Sequence, residues 1–145
     1  MKKASKVLLL ISGIVSIIMA IVWLVIAIIE FVRAGEVQAI YAAAQSGTPI
    51  TIPSWYTEYL KAHGSEYANY KAFTDAYSAS FITSGVIFLL MGLFCIPGAI
   101  IAFISKNREN KGLFICDIVF GVLGGTALNL VGGILGLVAV SVKKE

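Results

Sequence analysis

His63 is the only histidine of the chain, and Glu58 and Glu66 flank it. An imidazole between carboxylates can hold a metal or relay a proton, provided the groups come within mutual reach at ligand spacing. Here the three sit around a turn without a metal-binding spacing. His63 also ends a predicted helix, where the helix dipole favours a cation in any case. Cys95 and Cys116 each lie inside an apolar run and not in a Cys-x-x-Cys spacing. They read as thiols packing as small hydrophobes, with no disulfide framework and no redox or metal role. No glycine-rich phosphate loop follows a strand, because no segment reads as a strand. The sequence thus offers no catalytic residue, no cofactor site and no metal site, and an enzyme is not expected. Two polar residues remain, Asp117 and Asn129, each set in apolar surroundings. In a bilayer such groups are functional candidates by default, although a place at an interface and at a turn explains them more simply.

The composition points to a bilayer. Of 145 residues, 59% are hydrophobic and only 13% are charged, and the mean hydropathy is +0.91. A soluble domain carries about a quarter charged residues, so an integral membrane protein in one compact domain is expected. The net charge of +3 is less informative than its placing. Lys2, Lys3, Lys6, Lys106, Arg108, Lys111, Lys143 and Lys144 border apolar runs, leaving Arg33, Lys61 and Lys71 in the polar stretch between. Basic residues beside spans set orientation. A nucleic-acid surface needs cations on a solvated face, and no nucleic-acid partner is expected.

The first apolar run predicts a span over 7–31, too long for a secretory signal and long enough to tilt across a core of about 30 Å. Ser12, Ser16 and Ala20 recur every four residues, a small-residue stripe for a packed neighbour. Glu30 and Arg33 are one turn apart and pair. The helix continues to Gln45 and stops at Ser46-Gly47-Thr48-Pro49. Ser54 caps a short helix from Trp55 to His63, which Gly64 closes. Ser65 caps the next helix, which starts at Glu66 and runs on into a second span over 81–105. Pro97 predicts a kink near Phe94 to Gly98. The insert over 34–80 is aromatic. Trp55, Tyr56, Tyr59, Tyr70 and Tyr77 form the candidate partner surface, with a small core at headgroup level as the plainer alternative.

The tail from Gly112 to Val142 allows two readings. A single pass would carry Lys143 and Lys144 outward, against the positive-inside tendency. A hairpin turning at Gly124-Gly125-Thr126 keeps them inside, with short arms over 112–124 and 127–142. Gly121 with Gly125, and Gly132 with Gly136, then give each arm a flat packing face. The turn would lie at membrane depth, where neighbouring helices must cover its backbone. The hairpin is the preferred reading. It places Asp117 near the inner headgroups, within reach of Lys111 or Arg108, and Asn129 near the turn, where it can cap freed backbone groups.

The lysine-headed first helix (Lys3 to Ala20), the run from Ile96 to Ile115 through Lys106-Asn-Arg-Glu-Asn-Lys111, and the ending from Gly132 to Lys144 resemble the DUF4064-like group of small four-helix membrane proteins of Gram-positive bacteria, whose function is unknown. The resemblance leaves 36–79 unmatched and implies four spans with cytoplasmic ends; it supplies no site residue. The expected fold is an all-α integral membrane four-helix bundle. It has two long spans, a short glycine-rich hairpin and a small helical extracellular cap. The expected location is the cell membrane, multi-pass, with both termini cytoplasmic and residues 30–80 extracellular. The expected function is a non-enzymatic scaffold that binds a membrane or extracellular protein, or itself, as an accessory subunit, immunity protein or surface receptor. The alternative is a homo-oligomeric channel or transporter with the hairpin as conduit.

Overall fold

The structure is a computed structural model that describes residues 2–63, 70–124 and 126–142. The expectations at Gly64, Ser65, Glu66, Gly125, Lys143 and Lys144 fall outside the described residues, as does the side chain of Tyr70. Among the described residues there are five helices and no strand. They are α1 (Lys2–Ser46), α2 (Ser54–His63), α3 (Tyr70–Ser105), α4 (Lys111–Leu123) and α5 (Ala127–Ser141). Two of them, α1 and α3, are long and apolar enough to cross a membrane. The chain divides into two compact units, Met1–Val25 with Phe88–Glu145, and Ile26–Ile87.

α1 runs unbroken for 45 residues because no proline interrupts it. It ends where the sequence predicts. Gly47 takes φ +68, and the Thr48 N–H reaches back to the Ala43 carbonyl at 3.1 Å. That is the six-to-one bond of a glycine-terminated helix, which satisfies an otherwise orphaned carbonyl. Gly35 is a different case, an exposed glycine inside the helix with nothing within 4 Å of an added Cβ. Gly35→Ala is expected to stabilise the protein by about 0.5–1 kcal/mol through lost backbone freedom in the unfolded chain. A thermal melt in detergent that fails to rise would contradict this.

α2 corrects one detail. Ser54 is its first residue and not its cap; the Pro53 carbonyl accepts from Tyr56 N at 3.1 Å and from Thr57 N at 3.4 Å. Proline suits the start of a helix because its missing N–H would have had no partner there. α3 continues through Pro97 without interruption.

Residues 111–141 fold back on themselves. The Asn110 side chain accepts from Gly112 N at 2.8 Å and so caps α4, an N-terminal signal that the apolar run had overshadowed. The Gly124 N–H bonds to the Phe120 carbonyl at 2.9 Å and the Thr126 N–H to the Gly121 carbonyl at 2.8 Å. The new helix starts on the Thr126 carbonyl, which accepts from Asn129 N at 3.1 Å. The two arms pack antiparallel through glycine. A Cβ on Gly121 would lie 2.6 Å from the Leu130 backbone nitrogen, and one on Gly133 would lie 2.8 Å from the Phe114 carbonyl oxygen.

Each unit has its own core. In the first, Leu9, Ala102 and Phe114 are buried against Leu137 and Val140. In the second, Ala34, Val37, Ile40, Tyr56, Phe73 and Phe81 pack with Trp55, Leu60 and Tyr77. The outer face of α1 is aliphatic instead. Ile14, Ile18, Ile21, Val25 and Ile28 alternate four and three residues apart and are all exposed. On α3, Ile82, Val86, Leu93 and Ile100 are exposed likewise.

Candidate functional site

Two groups of residues compete as the site, one in each unit. The first is a polar seam in an apolar interior. Ser5, Ser12 and Ser16 lie seven and four residues apart, which places them on one face of α1. All three are buried. The Ser12 hydroxyl donates to Asn129 Oδ1, and Asn129 Nδ2 donates to Ser16 Oγ at 3.3 Å. The Ser5 hydroxyl donates to the Gly132 carbonyl at 3.1 Å. Leu9 fills the gap between them, its side chain 3.0 Å from where a Cβ on Gly132 would be. Of the stripe predicted at Ser12, Ser16 and Ala20, the two serines face α5 and Ser5 extends them, whereas the Ala20 carbonyl lies 3.3 Å from where a Cβ on Gly92 of α3 would be. Ser5 was legible too, one heptad before Ser12.

Asn129 of α5 is 0% exposed and meets three other helices. Besides the α1 serines, a Cβ on Gly98 of α3 would come within 3.1 Å of its Nδ2, and one on Gly121 of α4 within 3.1 Å of its Cβ. The expectation that it caps freed backbone at the turn is corrected. Asn129 lies in the first turn of α5, as expected, but its side chain faces the serine stripe, and the amide satisfies two hydroxyls there. The turn keeps other contacts. Cys95 Sγ donates to the Gly124 carbonyl at 3.2 Å, while Thr126 Oγ1 is buried without a hydrogen-bond partner among the described residues. Cys116 is half-buried, and both thiols are free.

Asp117 also departs from expectation. It is 0% exposed, neither Lys111 nor Arg108 pairs with it, and neither carboxyl oxygen has a hydrogen-bond partner among the described residues. The reason is its face on α4. It points inward against Gly133, whose absent side chain leaves room for the Asp117 Cβ at 3.0 Å. Of the glycines singled out for helix packing, Gly132 faces α1. Gly121 and Gly136 face the opposite arm of the hairpin, Gly136 against the Phe114 ring.

The second group is the aromatic cluster. Trp55 meets Tyr56 and Phe81 edge-on, both at 5.8 Å between centroids. Phe73 packs on Tyr77 at 4.5 Å, and Tyr77 on Tyr59 at 5.0 Å. The Arg33 guanidinium lies over the Trp55 ring at 5.6 Å and is 3.7 Å from Glu30, as the one-turn spacing predicts. Tyr56 is corrected from surface to core, at 2% exposed. Tyr59 is 41% exposed, with Trp55 and Tyr77 half-buried beside it. The His63 ring lies tilted at 5.7 Å from Tyr59 and 6.1 Å from Tyr77. With Ala76 and Ser80, these three rings line a cleft of about 330 Å³. Among the described residues no three or more His, Cys, Asp or Glu side chains gather where a metal could sit.

No protein-family model, curated protein or solved structure matches this chain.

Proposed function

We propose that this chain is a multi-pass protein of a bacterial cell membrane that holds a protein partner and performs no catalysis. In this reading α1 and α3 cross the bilayer and the α4–α5 hairpin completes a four-helix bundle from the cytoplasmic side. Residues 34–80 then stand outside. The outward aliphatic faces of α1 and α3 support the membrane assignment, since such surfaces are stable in lipid and costly in water. The likeness to the DUF4064-like group belongs to the same proposal and adds no ligand.

The observation that carries the partner reading is the exposed Tyr59 edge of the aromatic cluster. Tyr59 with half-buried Trp55, Tyr77 and His63 offers rigid ring area beside a cleft, the composition from which interface anchors are drawn. The conduit reading is weaker, because Asn129, the polar residue next to the hairpin turn, is already committed to two serines.

Photo-crosslinking in intact cells tests the proposal. A reactive residue replacing Tyr59 is expected to give one discrete protein adduct, which Trp55→Ala reduces and which is not formed from Ile115 on the exposed face of α4. In a chain freed of Cys95 and Cys116, an impermeant thiol reagent is expected to label Ile50→Cys from outside and to leave Lys144→Cys untouched. Ion flux through liposomes containing the pure protein, abolished by Asn129→Leu, would replace this reading with the conduit.

A further inference from the structure

α1 and α3 touch at two places and part between them. The Phe103 ring of α3 lies against Gly13 of α1, where an added Cβ would come within 2.8 Å of it. A Cβ on Gly92 of α3 would likewise lie 3.1 Å from the Leu24 side chain of α1. Between these contacts the helices leave a groove of about 360 Å³. Its floor is made by Ala20 and Ala99, which are buried, and its walls by Ile17, Ile21, Ile96 and Ile100, which are exposed. Every lining residue is apolar, and Phe103 and Leu24 close the ends. Just beyond Phe103, the Lys106 ammonium lies over that ring, 5.8 Å from its centroid. No carboxylate pairs with Lys106 among the described residues.

We propose that this groove holds one acyl chain of an anionic glycerophospholipid, whose phosphate meets Lys106. The proposal rests on the membrane reading of α1 and α3, under which the groove opens on lipid. Its size argues for a chain and against a helix. From Ile17 to Leu24 the groove runs ~10 Å at ~1.5 Å per residue, and that length of a helix with its side chains fills on the order of 800–1,200 Å³. A second copy or a partner helix can lie on the rim but cannot enter. A flexible hydrocarbon chain enters, and supplies dispersion contacts to floor and walls that are otherwise bare on one side. Charge then selects the headgroup. Lys106 brings a positive charge to one end of an apolar slot, held by the Phe103 ring and neutralised by no acid. A lipid with a phosphodiester and no cation of its own matches both parts at once. A zwitterionic headgroup would bring a second cation to the same lysine.

Photo-labelling of the purified full chain in phosphatidylcholine vesicles tests it. The probe is phosphatidylglycerol with a photoreactive group midway along one acyl chain, and peptide mass spectrometry locates the adducts. Saturable labelling at one lipid per chain is expected within 17–24 and 96–103, competed by unlabelled phosphatidylglycerol despite the excess of phosphatidylcholine. Ala99→Leu, whose longer side chain enters the groove from its floor, is expected to reduce that labelling about tenfold. Labelling of Ile14 and Val25 on the exposed face of α1 is expected to persist. Lys106→Gln is expected to weaken labelling by phosphatidylglycerol roughly fivefold, the worth of one surface lysine toward anionic lipid, and to leave labelling by a phosphatidylcholine analogue unchanged. A thermal melt in detergent checks that each variant folds, and Lys106→Gln carries the test alone if Ala99→Leu does not. Adducts spread evenly over the exposed faces of α1 and α3 overturn the proposal. So does groove labelling that survives Ala99→Leu, or a preference for phosphatidylglycerol that survives Lys106→Gln. These results leave the membrane reading standing while the chain stays with the vesicles through an alkaline wash; a chain that washes off overturns both.

Discussion

Gly121→Ala is expected to lower the stability of the protein by about 1–3 kcal/mol, although alanine is the better helix former by about 1 kcal/mol. The added methyl would lie 2.6 Å from the backbone nitrogen of Leu130. Backbone cannot rotate aside as a side chain can, so the two arms of the hairpin must separate or slide. Gly133→Ala meets the Phe114 carbonyl oxygen at 2.8 Å and belongs with it. Gly136→Ala is different in kind, because its clash is with the Phe114 ring. Pairing it with Phe114→Leu is expected to recover most of the loss, whereas no single side-chain change rescues Gly121→Ala. Thermal unfolding in detergent reads all four variants. A Gly121→Ala melt at or above that of the unaltered chain would remove the close approach from the account.

The second large effect is at Asn129. Asn129→Leu is expected to cost about 1–3 kcal/mol, since it leaves the buried hydroxyls of Ser12 and Ser16 facing an apolar side chain. The serines can turn back on their own helix carbonyls, which limits the loss. A double-mutant cycle isolates the direct part. With Ser12→Ala and Ser16→Ala the expected coupling to Asn129 is about 0.5–2 kcal/mol, in the range of hydrogen bonds between membrane helices. Strict additivity would mean that the seam holds nothing together.

The main breaks in the helices were legible because their signals are local. Gly47 ends α1, the short Lys106 to Lys111 segment parts α3 from α4, and the Gly124 to Thr126 turn makes the tail a hairpin. The pairing of Arg33 with Glu30 followed from one-turn spacing alone. Depth was not legible. Tyr56 and Tyr59 are neighbours in an aromatic segment, and only the packing against Phe73 decides that the first is core and the second is surface. Asp117 looked interfacial because polarity was all that its position announced. That it turns toward Gly133 depends on how α5 packs against α4. Asn129 was visible as a polar residue in an apolar arm. Its partners, more than a hundred positions earlier in the chain, were not.

The brevity of the hairpin bears on how such a protein is made. With 13 and 15 residues, its arms reach only about 20 Å at ~1.5 Å per residue, short of a hydrocarbon core of about 30 Å. Neither arm can therefore be threaded and released into lipid alone, as α1 and α3 can. On the membrane reading the hairpin enters after α1 and α3, as a pair, and the serines of α1 are among the contacts that receive it. A nascent chain that has lost those serines would hold its hairpin less firmly, by the apolar contacts of Leu9 and Phe114 alone.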